Sequence, residues 1–417
     1  MFKGSLQSLL LRVPTSLGRF LLVPVLARYL SVEEVGVYGL VVVGVTFALY
    51  ALGLDFYVFN TRELIRRAGP ERARLLRDQL ALHAAAYAGV VPLLVGLFAL
   101  GLLPWSVAPW FFALLAGEHL SMECQRVLFA LSRPVAANAV LALRSGAWAF
   151  AYAPLLLLVP SARSLESVWA AWLLGSLASL AAGAWALRDL AWGAALAEKV
   201  DRRWIAAGLR VSLPFLGSSL AIRGVTTVDR FALQHFRGEA EVGVYAIFCG
   251  IANLVPILAE AGFVMTVFPK LVAAAQQGDE AAYRDTFRRM AFAVVAALAV
   301  LCAGAAAAID PLLALIGKPV YREAVATFWV LLAMAVASGL GFLPHYALYA
   351  RGRDREIVLA AVAGLGVAVA GNLLLAPSLG HLGSALATLA AMATVGLAKL
   401  LALLLHPQAA AHVPEAG

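Results

Sequence analysis

The side chains with the most chemical potential in this sequence are charges set inside otherwise apolar runs. The bases are Arg12, Arg19, Arg28, Arg126, Arg144, Arg223, Arg230 and Lys399, and the acids are Asp55, Glu118, Glu123, Asp229 and Glu260. A charge at the centre of a membrane-spanning helix costs about 2.5–3.5 kcal/mol on insertion scales, so each must face a partner or a wet cavity. The bases outnumber the acids, and complete pairing would still leave a positive remainder. Such an interior favours an anionic ligand over a cationic one.

Arg28 and Arg126 lie close enough to helix ends for their stems to carry the charge to the interface. Arg19, Arg144 and Arg223 fall deeper. Arg12 and Arg19 are seven residues apart, as are Arg223 and Arg230, so each pair lines one face of its helix. A guanidinium at successive depths can pass a diphosphate from one bidentate contact to the next. Arg12, Arg19, Arg144, Arg223, Arg230 and Lys399 are therefore the candidate substrate-binding residues.

Glu123 reads as the partner of Arg126, three residues on. Glu118, near mid-depth with no base beside it in sequence, is the first candidate for coupling to H+ or Na+, followed by Asp55 and Glu260. His83, His119, His235 and His345 show no ligand-like spacing, so no metal site or other cofactor is expected. Cys124, Cys249 and Cys302 read as small buried hydrophobes. No nucleophile, base and oxyanion arrangement stands out, which points away from an enzyme.

The elements that must hold these residues follow from composition. The 417 residues are 63% hydrophobic and 13% charged, against roughly 45–50% and 25% in soluble domains. A soluble enzyme is excluded. With about 20 apolar residues per crossing, helices are expected near 5–29, 35–58, 80–103, 107–130, 135–158, 167–187, 209–235, 243–268, 290–309, 324–349, 357–376 and 382–405. The first is read as a retained helix, not a cleaved signal.

The gaps on one side carry most of the base, including Arg62, Arg66, Arg67, Arg72, Arg74 and Arg77 in a single loop. The other side holds only Arg163, Arg237, Lys318 and Arg322. This bias puts both termini in the cytoplasm. It also makes the net charge of +8 a topological feature and not a sign of nucleic-acid binding.

Glu34-Val35-Gly36-Val37-Tyr38 recurs as Glu241-Val242-Gly243-Val244-Tyr245. The second copy follows the first by six spans, so both cross in the same direction. The fold class expected is thus an all-α polytopic membrane protein, about twelve helices in two six-helix lobes, 1–200 and 201–417, related by a parallel repeat that usually places a substrate site between the halves. Tyr283 and Phe287, with Arg284 and Arg288 on the adjacent face, suggest an interfacial amphipathic helix. The loop 188–210, with Trp192, Lys199, Arg202, Arg203 and Trp204, could dock a soluble enzyme.

Several short stretches resemble the polysaccharide-synthesis, or O-antigen-type, flippases of the multidrug, oligosaccharidyl-lipid and polysaccharide exporter superfamily. They are Leu26-Ala27-Arg28-Tyr29-Leu30 ahead of Glu34 to Tyr38; Gly53-Leu54 ahead of Arg62; Phe268-Pro269-Lys270-Leu271 ahead of Gly278-Asp279; and Asn372-Leu373-Leu374-Leu375 with Pro377, Gly380, Gly383-Ser384-Ala385 and Thr388. The resemblance implies two lobes around a cationic cavity in the bacterial cytoplasmic membrane. It implies that a polyprenyl-diphosphate-linked oligosaccharide crosses by alternating access, without catalytic residues. Membrane lipids and the glycosyltransferases or polymerase of the same pathway are the implied partners. The competing readings are a multidrug or metabolite cation antiporter using Glu118, Asp55 and Glu260, and a non-transporting subunit of a synthesis complex.

Overall fold

A computed structural model describes residue 18 and residues 22–405 of the chain. Arg12 and Arg19, two of the candidate rungs, lie outside the described residues. The described part is helical throughout, with no strand, as a chain in hydrocarbon requires if each backbone donor and acceptor is to be satisfied within its own segment.

Nine of the described helices are long and apolar enough to cross a membrane. They supply the second span (Val32–Gly53), the third (Pro70–Ala99), the fifth (Pro134–Leu158), the sixth (Leu165–Ala186), the seventh (Arg202–Arg237), the eighth (Glu239–Gln276), the ninth (Glu280–Ile316), the tenth (Val325–Ala350) and the long Asp354–Leu405. The last breaks at Gly380 (φ 55°) into the eleventh and twelfth spans. Ala108–Ala130 is the fourth, long enough but rich in charge, and residues 22–29 are the described end of the first. Eleven of the twelve expected spans are thus described, with the closing turns of the first.

Local sequence sets the ends. Pro70 and Pro134 open their helices, where the missing N–H costs nothing. The Asp279 carboxylate accepts from the backbone N–H groups of Ala281 and Ala282, and Gly317 closes the same helix in the left-handed conformation. That helix is continuous over 37 residues, so Tyr283 and Phe287 belong to the opening turns of the ninth span. Tyr283 is buried, stacked on Phe287, under the guanidinium of Arg351. The expected separate interfacial helix is not formed, because Tyr283 finds protein partners instead of the acyl boundary.

The second span departs from its expected continuous run. It stops at Gly53, passes through Leu54 (φ 52°) and Asp55 (φ 48°), both left-handed without being glycine, and resumes as Tyr57–Arg66. A Leu and an Asp in that region carry backbone strain that the surroundings must enforce.

The chain divides into two compact units, 1–31 with 40–220 and 32–39 with 221–417. The division falls inside the seventh span and not at 200. In the first unit, Trp204 meets Phe56 edge to face with centroids 5.2 Å apart, and Gly208 lies against Phe56 and Phe59, which holds the start of that span to the first unit. The first copy of the repeated pentapeptide groups with the second unit. Gly36 lies against the Glu239 carbonyl and Gly243 against the Val32 carbonyl, so the two copies pack on each other through their glycines. Only a residue without Cβ permits backbones this close.

Candidate functional site

The intramembrane charges collect into three networks. In the first unit, Glu118 of the fourth span is 1% exposed. Its Oε2 lies 3.0 Å from Nη1 of Arg144 in the fifth span, and its Oε1 accepts from the Trp172 indole N–H at 2.6 Å and from Ser176 at 3.4 Å, both in the sixth span. Arg144 Nη2 donates to Gln125 Oε1 at 3.1 Å. Arg144 sits in a π-helical turn, Leu143–Ala147, and its carbonyl accepts from Trp148, whose ring stacks on Trp172 at 5.9 Å. Glu118, read from sequence as lacking a base, is therefore the counter-ion of Arg144. Two candidates of opposite role form one ion pair.

The second network lies beside the break in the second span. Glu123 Oε1 takes Arg126 Nη1 at 2.6 Å, the i,i+3 pair that the sequence indicates, and its Oε2 accepts from the Gln79 amide at 2.7 Å. Gln79 in turn accepts from Asn60 at 2.5 Å. The Arg126 guanidinium lies 4.0 Å over the ring of Tyr57. His119 and His83 meet edge to face with ring centroids 4.7 Å apart, and Tyr87 OH is 3.2 Å from His119 Nδ1. Asp55 is buried within electrostatic reach of Tyr57, as are Arg126 and Glu123. The histidines show no ligand-like set along the sequence, but folding draws His83, His119 and Glu123 together.

The third network is in the second unit. Arg230 Nη1 lies 3.1 Å from Asp229 Oδ1, and Asp229 Oδ2 accepts from Tyr245 OH at 2.7 Å and Thr388 at 3.4 Å. Arg230 Nη2 also donates to Cys249 Sγ at 2.8 Å, to which Asn253 donates at 3.1 Å. Cys249 is thus a polar partner and not merely a small hydrophobe. Arg223, seven residues earlier, is exposed while Arg230 is buried, so the two expected rungs occupy different environments. Lys399 is buried at 7% exposure. Glu260, in a second π-helical turn, accepts from Tyr346 OH at 2.5 Å.

An apolar cavity of about 530 Å³ lies between the ninth, tenth and twelfth spans, walled by Phe287, Leu340, Pro344, Leu397 and Leu400. In the loop proposed for docking, Trp192 donates to the Leu187 carbonyl and Trp204 packs on Phe56. Arg77 of the third span donates to the carbonyls of Glu198 at 2.7 Å and Lys199 at 3.0 Å. Lys199, Arg202 and Arg203 stay exposed, whereas the tryptophans belong to the fold.

The profile of the polysaccharide biosynthesis protein family matches residues 1–274. Among curated proteins no sequence matches. The inward-facing conformation of a multidrug resistance MATE family transporter of the MOP superfamily superposes with TM-score 0.73 at 15% identity, over 94% of each chain. The lipid II flippase MurJ, in an inward closed conformation, gives 0.68 at 12% identity over 95% of this chain and 87% of its own. These likenesses show a common fold. The chain, a multi-pass membrane protein with the fold of MOP-superfamily transporters, belongs to the polysaccharide biosynthesis protein family.

Proposed function

We propose that the protein is a flippase that carries a polyprenyl-diphosphate-linked oligosaccharide from the cytoplasmic to the outer leaflet of the bacterial cytoplasmic membrane by alternating access. The observation that carries this reading is the charge balance inside the spans. Glu118, Glu123 and Asp229 each hold an arginine, and Glu260 holds a tyrosine hydroxyl. Of the carboxylates that a cation antiporter would use, Glu118 and Glu260 are engaged, and the eight bases set in the spans outnumber the five acids, leaving a positive remainder. A diphosphate suits that remainder, with bidentate contacts from guanidinium groups. The apolar cavity beside Leu340 and Leu397 suits a prenyl or acyl chain. Coupling to H+ or Na+ belongs to the same proposal, as do contacts with the pathway's glycosyltransferases or polymerase through Lys199, Arg202 and Arg203.

The test is the sidedness of labelled lipid-diphosphate sugars in a host depleted of the protein and lacking a redundant flippase. Accumulation on the cytoplasmic leaflet is expected, relieved by the wild-type chain but not by Arg223→Ala with Lys399→Ala at equal folded abundance. Unchanged sidedness on depletion refutes the flippase, and full rescue by the double variant refutes the cationic path.

A further inference from the structure

We infer that His83, His119 and Glu123 form a binding site for a first-row divalent metal ion of the zinc class in the first unit. The inference stands apart from the transport reading and begins with unsatisfied chemistry. His83 is 2% exposed and His119 is 0% exposed, yet neither ring nitrogen of His83 nor Nε2 of His119 has a hydrogen-bond partner among the described residues. Buried polar atoms are almost always paired, and those that are not call for an occupant. One ligand atom from each of His83, His119 and Glu123 lies within 4.8 Å of the others. That is wider than the roughly 3.3 Å edge of a tetrahedron with metal–ligand bonds near 2.0–2.1 Å, a difference that side-chain torsions can close.

Four further features fit a metal. Tyr87 OH stands 3.2 Å from His119 Nδ1; with Nδ1 protonated, the ring donates to the tyrosine oxygen and turns the Nε2 lone pair towards the cluster. Metal-bound histidines are oriented in this way by a partner on the other nitrogen. Glu123 spends one bond on each oxygen, with Arg126 and Gln79, out of about four lone-pair positions, so it retains capacity to ligate. Among the described residues, the charged groups gathered at the break are Asp55, Glu123 and Arg126, two acids to one base. Room exists as well: a Cβ built on Gly53 would stand 3.5 Å from Glu123 Oε1, 3.5 Å from Arg126 Nη1 and 3.9 Å from His119 Nε2. A cavity of about 230 Å³ along Leu76, Leu80 and Trp192 reaches His83 and Glu123. Two imidazoles with one carboxylate select zinc-like ions over Na+, Mg2+ or Ca2+, which prefer all-oxygen sites. Bound there, the ion would tie the third span to the fourth beside the strained turn of the second.

The experiment uses the purified full-length protein in detergent, stripped with a chelator and titrated with Co2+. Stoichiometric binding is expected, with the visible absorption of four-coordinate cobalt, displaced by Zn2+ and not by excess Mg2+ or Na+. His83→Gln and His119→Gln should each weaken binding at least tenfold. Tyr87→Phe keeps all three ligands and the packing of the ring, and should weaken binding by about tenfold through loss of orientation; it carries the test if a histidine variant fails to fold. No cobalt spectrum in the wild type overturns the site. So does a spectrum that survives both histidine substitutions, which would assign the metal to other residues, or an affinity unchanged in Tyr87→Phe.

Discussion

Glu118→Ala removes the negative partner of Arg144 and leaves a guanidinium whose side chain is 13% exposed facing a vacated site. It also deprives the Trp172 indole of its 2.6 Å acceptor. Removing one member of a buried ion pair costs about 3–5 kcal/mol. Arg144→Ala should cost a similar amount, because Glu118 is the more buried of the two and would lose its counter-ion. The double variant removes both charges together, so its loss should be smaller than the sum. Interhelical hydrogen bonds in membranes couple by only about 0.6 kcal/mol on average, since the unfolded chain in lipid finds other partners. Two full charges at 3.0 Å, with Trp172 bonded to the carboxylate and Gln125 to the guanidinium, should exceed that, with a coupling of about 2 kcal/mol, inside the range seen for side chains in one network. Reversible unfolding of the four proteins in mixed micelles measures it. Additive losses, or single losses below about 1 kcal/mol, would refute the pairing and return Glu118 to the role of an ion-coupling carboxylate.

Trp172→Phe keeps the ring stack on Trp148 but deletes the donor to Glu118, and should cost about 1.5–3 kcal/mol, the range for a hydrogen bond to a charged group, read from the same unfolding curves. Gly36→Ala and Gly243→Ala each place a methyl on the opposing backbone carbonyl and should cost about 1–3 kcal/mol as overpacking; a neutral result in either would refute the close approach. Between the turns that follow the fourth and sixth spans, Arg133 donates to Asp189 at 2.8 and 2.5 Å, and that hydrogen bond holds the Asp189 carboxyl below its usual value of 3.8. The stabilisation is therefore fully present above that value and fades as pH falls through the lowered one. The stability gap between wild type and Asp189→Asn should be constant from neutral pH down to about pH 5 and should close only in strong acid; a gap that closes near neutrality would refute the assignment.

What the sequence disclosed about this molecule was whatever depends on local order. Hydropathy locates the spans because a crossing helix must be about 20 apolar residues long, and Glu123 with Arg126 is legible because residues three apart share a helix face. Glu118 and Arg144 lie on different spans, and their meeting depends on the depth and rotation at which the fourth and fifth helices pack, which composition does not encode. The break at Leu54 and Asp55 escaped for a related reason. Leu54 disfavours a left-handed backbone and Asp55 only tolerates one, so the strain is imposed by the packing around it and leaves little mark in the local sequence.

The arginine pair in the seventh span shows where spacing alone misleads. Seven residues return a helix nearly to the same face but advance it by about 10 Å, and the surroundings change over that distance. At Arg230, Asp229 of the same span and Tyr245 and Cys249 of the eighth close around the guanidinium, whereas the Arg223 side chain is exposed. Spacing specifies direction, and burial is decided by what other spans bring to that depth. The histidine cluster shows the converse, because a signal was available. Gln79 with His83 and His119 with Glu123 are each four residues apart, which places each polar pair on one face of its helix, and the two helices are consecutive and connected by a short turn. Two such faces in lipid have no better recourse than each other, so a polar i,i+4 pair repeated on neighbouring antiparallel spans predicts a buried network even where no single residue has a ligand-like motif.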